Sequence, residues 1–225
     1  MINIETRTER ILNAANELML QYGYDKTTIN DIAKKAGVSK GAVYLHYDSK
    51  EDLFEAVFWR EIWFYTNDTI KRVEKDPKPW SFISTYEHGL LSIVDSPLLQ
   101  ALLRGDELIL GSFLKKRGGA IFAFKQPYQS EFLTLMQSVG AVRSDIDVEA
   151  AAHLLNILGY GFLNAMAEIP KDKQPPIENV ITEMSRMLQG YLVPPDGGDH
   201  EAGKQIILGI WKRMREEIRI KLDKE

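Results

Sequence analysis

Residues 39–44 combine a cationic side chain, two very small residues and an aromatic hydroxyl group in one short stretch. The ammonium group of Lys40 suits a guanine edge or a phosphate oxygen, and the methyl group of Ala42 suits that of thymine. Gly41 and Ala42 keep the surface slim, so that a helix carrying them can approach base edges closely. Tyr44 follows Lys40 by one helical turn. The stretch therefore predicts contact with DNA in its major groove.

Two short helices separated by a glycine turn are predicted to position these residues. Thr28 with Asp31 forms a capping signal at the start of the first helix. Gly37 ends that helix, because glycine readily adopts the left-handed conformation found after a helix. Ser39 caps the second helix. The apolar faces comprise Ile29, Ile32, Ala33 and Ala36 in the first helix and Val43 and Tyr47 in the second. This pattern is typical of a helix-turn-helix motif.

Longer helices are predicted on both sides of the motif. One runs from about Thr6 to Gln21 and stops at Gly23, and another runs from about Lys50 to Lys75 after a capping signal at Ser49. Further helices are predicted at about 80–94, from Pro97 to an interruption at Gly105, from Pro127 to Gly140, from Asp147 to Ala167, at about 177–192 and at about 201–222. Gly118 and Gly119 interrupt the helical pattern before Pro127. No segment shows the alternation of apolar and polar residues that is typical of a β-strand.

The predicted fold is all-α. Residues 1–50 are predicted to form a helix-turn-helix DNA-binding domain, which the long fourth helix joins to a second helical domain over residues 51–225. The last helix is an extra C-terminal amphipathic helix, with its apolar residues at helical spacing and charges of both signs on its other face.

The N-terminal quarter of the chain resembles the TetR family of transcriptional regulators. The matching residues are Tyr22–Tyr24, Thr27–Ile29, Asp31–Ala33, Ala36–Ser39, Gly41, Val43–Tyr44, His46–Tyr47 and Lys50–Leu53. The resemblance is specific because many positions match in register. Leu45 departs from the pattern, since the family often carries a polar or larger residue there.

The resemblance implies a dimeric regulator that binds double-stranded DNA and a small-molecule effector, with residues 51–225 as a helical ligand-binding and dimerisation domain. Thr28, Tyr44, His46 and Lys50 match family positions for phosphate contact. The complete set of predicted DNA-binding residues is Thr28, Ser39, Lys40, Gly41, Ala42, Tyr44, His46 and Lys50. A dimer would place two recognition helices about one DNA turn apart, so a palindromic operator is expected. The fourth helix is the expected transmitter between effector and DNA.

Composition limits the partners and the chemistry. The chain has 28 basic and 32 acidic residues, and its first fifty residues carry seven basic and six acidic ones. This weak positive charge means that any DNA affinity depends on a few local contacts. There is no cysteine, so disulfides and thiolate metal sites are excluded. No secretory signal or membrane span is visible, which predicts a cytoplasmic protein.

Two helices of the second domain suggest a homodimer. The helix from Asp147 to Ala167 is rich in small residues, and the helix over 177–192 has a broad apolar face. Two such helices from each subunit can form a four-helix bundle. The alternative is ordinary packing within one chain.

An effector pocket is expected among the many aromatic residues of the second domain, although most of these residues are expected to form the core. His153, Asn156, Tyr160 and Asn164 form a polar ladder at helical spacing, which points either into the pocket or into a wet dimer seam. The predicted effector contacts are Trp63, Tyr86, Glu107, Phe124, Tyr128, His153, Asn156 and Tyr160. An apolar or amphipathic effector is expected.

Two functions remain open from the sequence. The first is a ligand-responsive DNA-binding regulator, expected to be a repressor that its effector releases. The second is a helical ligand-binding or interaction protein whose DNA-binding half is vestigial. The four histidines lack metal-ligand spacing, and no phosphate loop or nucleophile elbow is present, so no enzyme, cofactor or metal site is predicted.

Overall fold

The computed structural model describes residues 6–76, 82–118, 126–197 and 199–222. The described residues form helices and contain no β-strand, which confirms the all-α prediction. The α-helices are α1 (Arg7–Tyr22), α2 (Ile29–Ala36), α3 (Lys40–Tyr44), α4 (Lys50–Lys75), α5 (Phe82–Val94), α6 (Pro97–Arg104), α7 (Glu107–Leu110), α8 (Gln126–Ser138), α9 (Val148–Glu168), α10 (Ile177–Leu192) and α11 (His200–Leu222).

The helix bounds follow local capping chemistry that the sequence displays. Asp147 caps α9 by accepting hydrogen bonds from the backbone N–H groups of Glu149 and Ala150. Gly105 ends α6 with a left-handed φ of 67°, at the residue where the sequence predicts an interruption. Neither the π-helical turn over Leu114–Gly118 nor the 3₁₀ turn over Lys171–Lys173 is among the predicted elements.

The chain divides into two compact units. The first contains residues up to Phe64, the segment 96–122 and the residues from Glu217 onward. In this unit α1 packs against α2, α6 and α7, and α2 packs against α3. Its core comprises Ile11, Met19, Ile32, Val43, Leu53, Phe54, Phe58, Leu98, Leu110 and Phe113, all of which are fully buried.

The second unit contains residues 65–95 and 123–216. Here α10 packs against α5, and α9 packs against α8. The apolar core of this unit includes Val73, Ile83, Leu133, Met136, Leu155, Leu188, Leu192 and Ile207. The last of these lies on α11, so the predicted C-terminal helix contributes to the core of its own chain.

An aromatic cluster holds the segment 107–118 within the first unit. Phe113 stacks on Phe58 with ring centroids 4.8 Å apart, and its ring lies 5.4 Å from that of Tyr24. Phe54 meets the edge of the Tyr24 ring at 5.1 Å. Backbone contact is equally close, because the Tyr24 N–H donates a 2.7 Å hydrogen bond to the carbonyl oxygen of Ile109. The cluster thereby joins the α1–α2 turn, α4 and the segment that follows α6.

Gly23 makes that backbone contact possible. Its φ is +83°, and a Cβ atom at this position would lie 2.3 Å from the carbonyl oxygen of Leu108. The sequence predicts only that Gly23 ends α1, and the structure adds that no side chain fits there.

Ion pairs attach the π-helical turn to the first turns of α4. Lys116 Nζ lies 2.6 Å from Glu51 Oε1, and the Arg117 guanidinium group contacts Asp52 at 2.9 Å and Glu55 at 2.8 Å. The hydrogen bond from Lys116 makes the largest contribution to lowering the pKa of the Glu51 carboxyl to about 2, and a backbone hydrogen bond makes the next largest. Since this pKa is lower than in the unfolded chain, the ion pair stabilises the fold above the usual glutamate pKa near 4.5. That stabilisation is lost as the pH falls through the folded value.

Replacing Lys116 by alanine is therefore expected to raise the pKa of Glu51 toward its usual value. The change is measured by a carbon-detected NMR titration of the side-chain carboxyl group. Lys115→Ala is the matched control, because Lys115 is exposed and forms no ion pair within the described part of the chain. A Glu51 pKa that is equally low in Lys116→Ala and in the unsubstituted protein would contradict the assignment.

Candidate nucleic-acid interface

The first helix of the motif begins with the predicted capping box. The Thr28 side chain accepts a hydrogen bond from the Asp31 N–H at 3.2 Å, and the Asp31 carboxylate accepts one from the Thr28 N–H at 3.3 Å. The Thr28 hydroxyl group donates a further bond to the same carboxylate at 2.6 Å. These bonds satisfy N–H groups that have no partner inside the helix.

The turn between α2 and α3 has the expected glycine geometry. Gly37 is left-handed, with φ 66° and ψ 38°, and the Val38 N–H reaches back to the Ala33 carbonyl oxygen at 3.0 Å. A side chain from α1 strengthens the turn, because Arg10 donates a 3.1 Å hydrogen bond to the carbonyl oxygen of Ala36. Local pattern does not reveal this contact, since the two residues lie 26 positions apart.

Helix α3 begins at the predicted cap, where Ser39 Oγ accepts a hydrogen bond from the Ala42 N–H at 3.1 Å. Val43 is fully buried and fixes the inner side of the helix. Lys40, Gly41 and Tyr44 are exposed, and Lys40 Nζ lies 5.8 Å from the centroid of the Tyr44 ring. The helix thus presents a cation, an aromatic hydroxyl group and bare backbone on its outer side.

The other predicted DNA contacts have partners within the protein. Lys50 is half-buried and donates a 2.6 Å hydrogen bond to the carbonyl oxygen of Tyr24, while its ammonium group lies 4.1 Å from the centroid of the Tyr24 ring. Burial lowers the pKa of this ammonium group. His46 is half-buried, with its ring 6.3 Å from that of Tyr47. An ammonium group has three donors, so Lys50 keeps hydrogen-bonding capacity for a phosphate.

The local charge around the motif is modest. Lys34 and Lys35 are exposed in the last turn of α2, and Lys35 pairs with Glu17 on α1 at 2.7 Å. This ion pair offsets one of the few cations of the motif. Any DNA contact by this surface must therefore rely on individually placed groups, because the net positive charge around the motif is small.

The predicted effector contacts are distributed over both units. Trp63 and Glu107 belong to the first unit, where Trp63 is half-buried and Glu107 is exposed in the first turn of α7. In the second unit, the Tyr86 hydroxyl group donates a 3.1 Å hydrogen bond to the Leu155 carbonyl oxygen. Phe124 and the side chain of Tyr128 lie outside the described residues.

Three members of the polar ladder lie on the exposed stripe of α9. The exposed residues of that stripe are Ala150, His153, Leu154, Ile157, Tyr160, Gly161, Asn164 and Ala165. Asn164 donates a 2.9 Å hydrogen bond to the carbonyl oxygen of Tyr160, and Asn156 is half-buried beside the stripe. Apolar side chains therefore accompany the polar ones along this exposed stripe.

Helix α10 has a second exposed surface of similar character. Met187 and Tyr191 are exposed there. A shallow apolar depression is lined by Pro175, Asn179, Val180, Glu183, Met184 and Met187. Large apolar side chains are therefore exposed on α10 as well as on α9.

Neither a metal centre nor a membrane span is found in the part of the chain that the structure describes. No group of three or more histidine, aspartate or glutamate side chains there has a geometry that could hold a metal ion. No helix there is long and apolar enough to cross a membrane.

The helices that contain the motif match a known protein family. Residues 11–57, from α1 into α4, match the family described as "Bacterial regulatory proteins, tetR family". The "Probable acrEF/envCD operon repressor" of Escherichia coli (strain K12) is 28% identical over 203 residues, covering 79% of this chain and 86% of that protein. The "HTH-type transcriptional regulator AcrR" of Shigella flexneri is 33% identical over 99 residues, which cover only 43% of either chain.

Solved structures resemble the chain over most of its length. The transcriptional regulator FadR from Bacillus subtilis, solved in complex with stearoyl-CoA, has a TM-score of 0.62 at 16% identity. That match covers 80% of this chain and 96% of FadR. The ketosteroid transcriptional regulator KstR2 of Mycobacterium tuberculosis has a TM-score of 0.56 at 16% identity and covers 86% of this chain and 97% of its own. At such identities the likeness establishes the fold.

Proposed function

The chain belongs to the TetR family of transcriptional regulators, and we propose that it is a repressor which binds a near-palindromic operator as a homodimer and releases it when an effector binds. A DNA-binding regulator of this family is not an enzyme. The observation that carries the proposal is the outer side of α3, where Lys40, Gly41 and Tyr44 are exposed over a buried Val43. Residues 1–50 would read DNA, and residues 51–225 would dimerise and sense the effector.

The homodimer is supported by the apolar side chains that α9 and α10 expose. Leu154, Ile157 and Met187 are each about half exposed in the single chain. Apart from its chain neighbours and the backbone of its own helix, a Cβ atom added at Gly161 or Gly190 would meet no atom within 4 Å in the described part of the chain, so another backbone can approach them closely. A four-helix bundle between two copies would cover these residues and place the polar ladder in a wet seam.

An apolar or amphipathic effector is supported by a relative of the same fold. FadR from Bacillus subtilis was solved with stearoyl-CoA, an acyl chain joined to a polar group. In this chain, Tyr86 is the predicted effector contact that borders the apolar core of the second unit. The effector would bind more tightly to a dimer whose recognition helices are too far apart or too close for the operator. It would then lower the DNA affinity by the ratio of its affinities for the two states, and DNA would lower the effector affinity by the same factor.

The direct test is footprinting of the purified protein on the DNA that flanks its own gene, together with in vitro selection from a randomised duplex pool. The expected result is protection of a near-palindromic site with half-sites about one helical turn apart. Failure to select or protect any duplex would refute the proposal. The same outcome would favour the alternative of a helical ligand-binding protein with a vestigial DNA-binding half, which the low charge of residues 1–50 supports.

Replacing Lys40 by alanine is expected to reduce the dependence of DNA affinity on salt. If Lys40 contacts a phosphate, its loss removes one released counterion, so the slope of log affinity against log salt falls by about one. Fluorescence anisotropy at several salt concentrations measures the slope. Lys171→Ala is the control, because this exposed lysine lies in the second unit, and it should leave the slope unchanged. An unaltered slope in Lys40→Ala would exclude the phosphate contact.

A further inference from the structure

Leu45 is the most exposed large apolar residue of the predicted DNA-binding domain among the described residues. Its side chain is 82% exposed, and it follows directly after Tyr44 at the end of α3. Its backbone remains helical, with φ −72° and ψ −21°, and its N–H donates a 3.1 Å hydrogen bond to the carbonyl oxygen of Gly41. Leu45 therefore continues the geometry of α3 by one residue.

The helical register places Leu45 opposite the buried side of α3. It follows the fully buried Val43 by two residues, and successive residues of a helix are rotated by about 100°. Gly41 shares the outer side, one turn earlier. Leu45 and Gly41 therefore lie on the same side of the helix, four residues apart. A Cβ atom at Gly41 would find only Ser39 Oγ nearby among the described residues, at 3.9 Å.

A single exposed leucine has no meaning by itself, since such residues are common on protein surfaces. The position of Leu45 is what matters, because it is 82% exposed and directly follows the helix that carries Lys40, Gly41 and Tyr44. The Leu45 side chain has neither a donor nor an acceptor. The apolar group that base pairs present in the major groove is the methyl group of thymine.

We propose that Leu45 reads the methyl group of a thymine in the operator, and that this contact gives the protein a thymine preference at that position. The inference rests on the proposed function, in which α3 enters the major groove. Covering one methyl group should improve affinity by about fourfold, the effect of burying one CH₂-sized group. The residue that departs from the family pattern thus sets a base preference of this particular chain.

The test uses the full-length protein and the consensus duplex obtained by in vitro selection. Each thymine is replaced in turn by deoxyuridine, which lacks the methyl group and keeps the same hydrogen-bonding atoms. The unsubstituted protein is expected to bind at least one of these duplexes about fourfold more weakly than the thymine duplex. Leu45→Ala should bind the same two duplexes equally well. Its melting temperature should match that of the unsubstituted protein, because so little of the side chain is buried.

Leu108→Ala is the matched control, because Leu108 is 90% exposed and lies on α7 rather than on the motif. It should keep the fourfold discrimination. If deoxyuridine never weakens binding, or weakens binding of Leu45→Ala and of the unsubstituted protein alike at every thymine tested, the role of Leu45 is refuted while DNA binding stands. If no duplex is selected at all, the proposed function fails and this inference fails with it.

Discussion

Replacing Phe113 by alanine is expected to lower the free energy of unfolding of the first unit by about 3–5 kcal/mol, the usual cost of removing a buried phenylalanine. Phe113 is fully buried and its ring contacts the rings of Tyr24 and Phe58. Its removal leaves a cavity between the α1–α2 turn, α4 and the segment 107–118, and it removes the ring contacts that join them. Urea titration followed by circular dichroism measures the change.

Phe64→Ala deletes the same atoms from a side chain that is 55% exposed. It should cost about 1 kcal/mol or less, because little apolar surface is lost and no cavity forms. Equal destabilisation by both substitutions would show that the aromatic cluster does not hold the segment. The Phe113 variant should also bind DNA more weakly, since the cluster includes Tyr24, whose carbonyl oxygen accepts the hydrogen bond from Lys50.

The helices could be predicted from the sequence because their ends are fixed by neighbours along the chain. Thr28 and Asp31 cap α2, Ser39 caps α3 and Asp147 caps α9, and in each case the cap and its partner lie within three residues. Gly37 adopts the left-handed conformation that its place in the pattern predicts. Interactions of such short range are visible in the order of residues alone.

The contacts that hold the segment 107–118 could not be predicted in this way. Ser112 donates to Asp25 from 87 residues away, and Arg117 pairs with Asp52 from 65 residues away. The π-helical turn that carries Lys116 and Arg117 has no sequence signature, and only the glycines at its end mark its place. Pairing over such separations depends on the path of the chain, which periodicity does not determine.

The effector site is harder to predict than the DNA-binding surface for a physical reason. A recognition helix needs small and charged residues at set spacings, which a sequence displays. A ligand pocket is lined by the same types of residue that fill a core, so the sequence does not distinguish the two. The polar ladder illustrates the ambiguity, because a period of three to four residues identifies one side of α9 without identifying what it faces. The proposal of a seam rests on the exposure of His153, Tyr160 and Asn164 in the single chain.

Replacing Ile157 by glutamate is expected to make the protein monomeric at micromolar concentration and to weaken operator binding by at least about 100-fold. The side chain is 51% exposed on the apolar stripe of α9, so the proposed dimer buries it twice, once from each subunit. Burying an unpaired carboxylate costs several kcal/mol. In a dimer, binding of one half-site raises the effective concentration of the second recognition helix at the other half-site. Separate monomers lose this advantage, because each binds a half-site alone. Analytical ultracentrifugation and anisotropy measure the two effects.

The control is Leu108→Glu, which introduces the same charge at a leucine that is 90% exposed in the first unit. It should remain dimeric and keep its operator affinity, because the proposed dimer leaves Leu108 in water. A dimeric Ile157→Glu variant would exclude the α9 stripe from the interface. A monomeric variant with undiminished operator affinity would instead support the α9 interface. It would also refute binding of both half-sites by one dimer, because separating such a dimer into monomers must weaken binding.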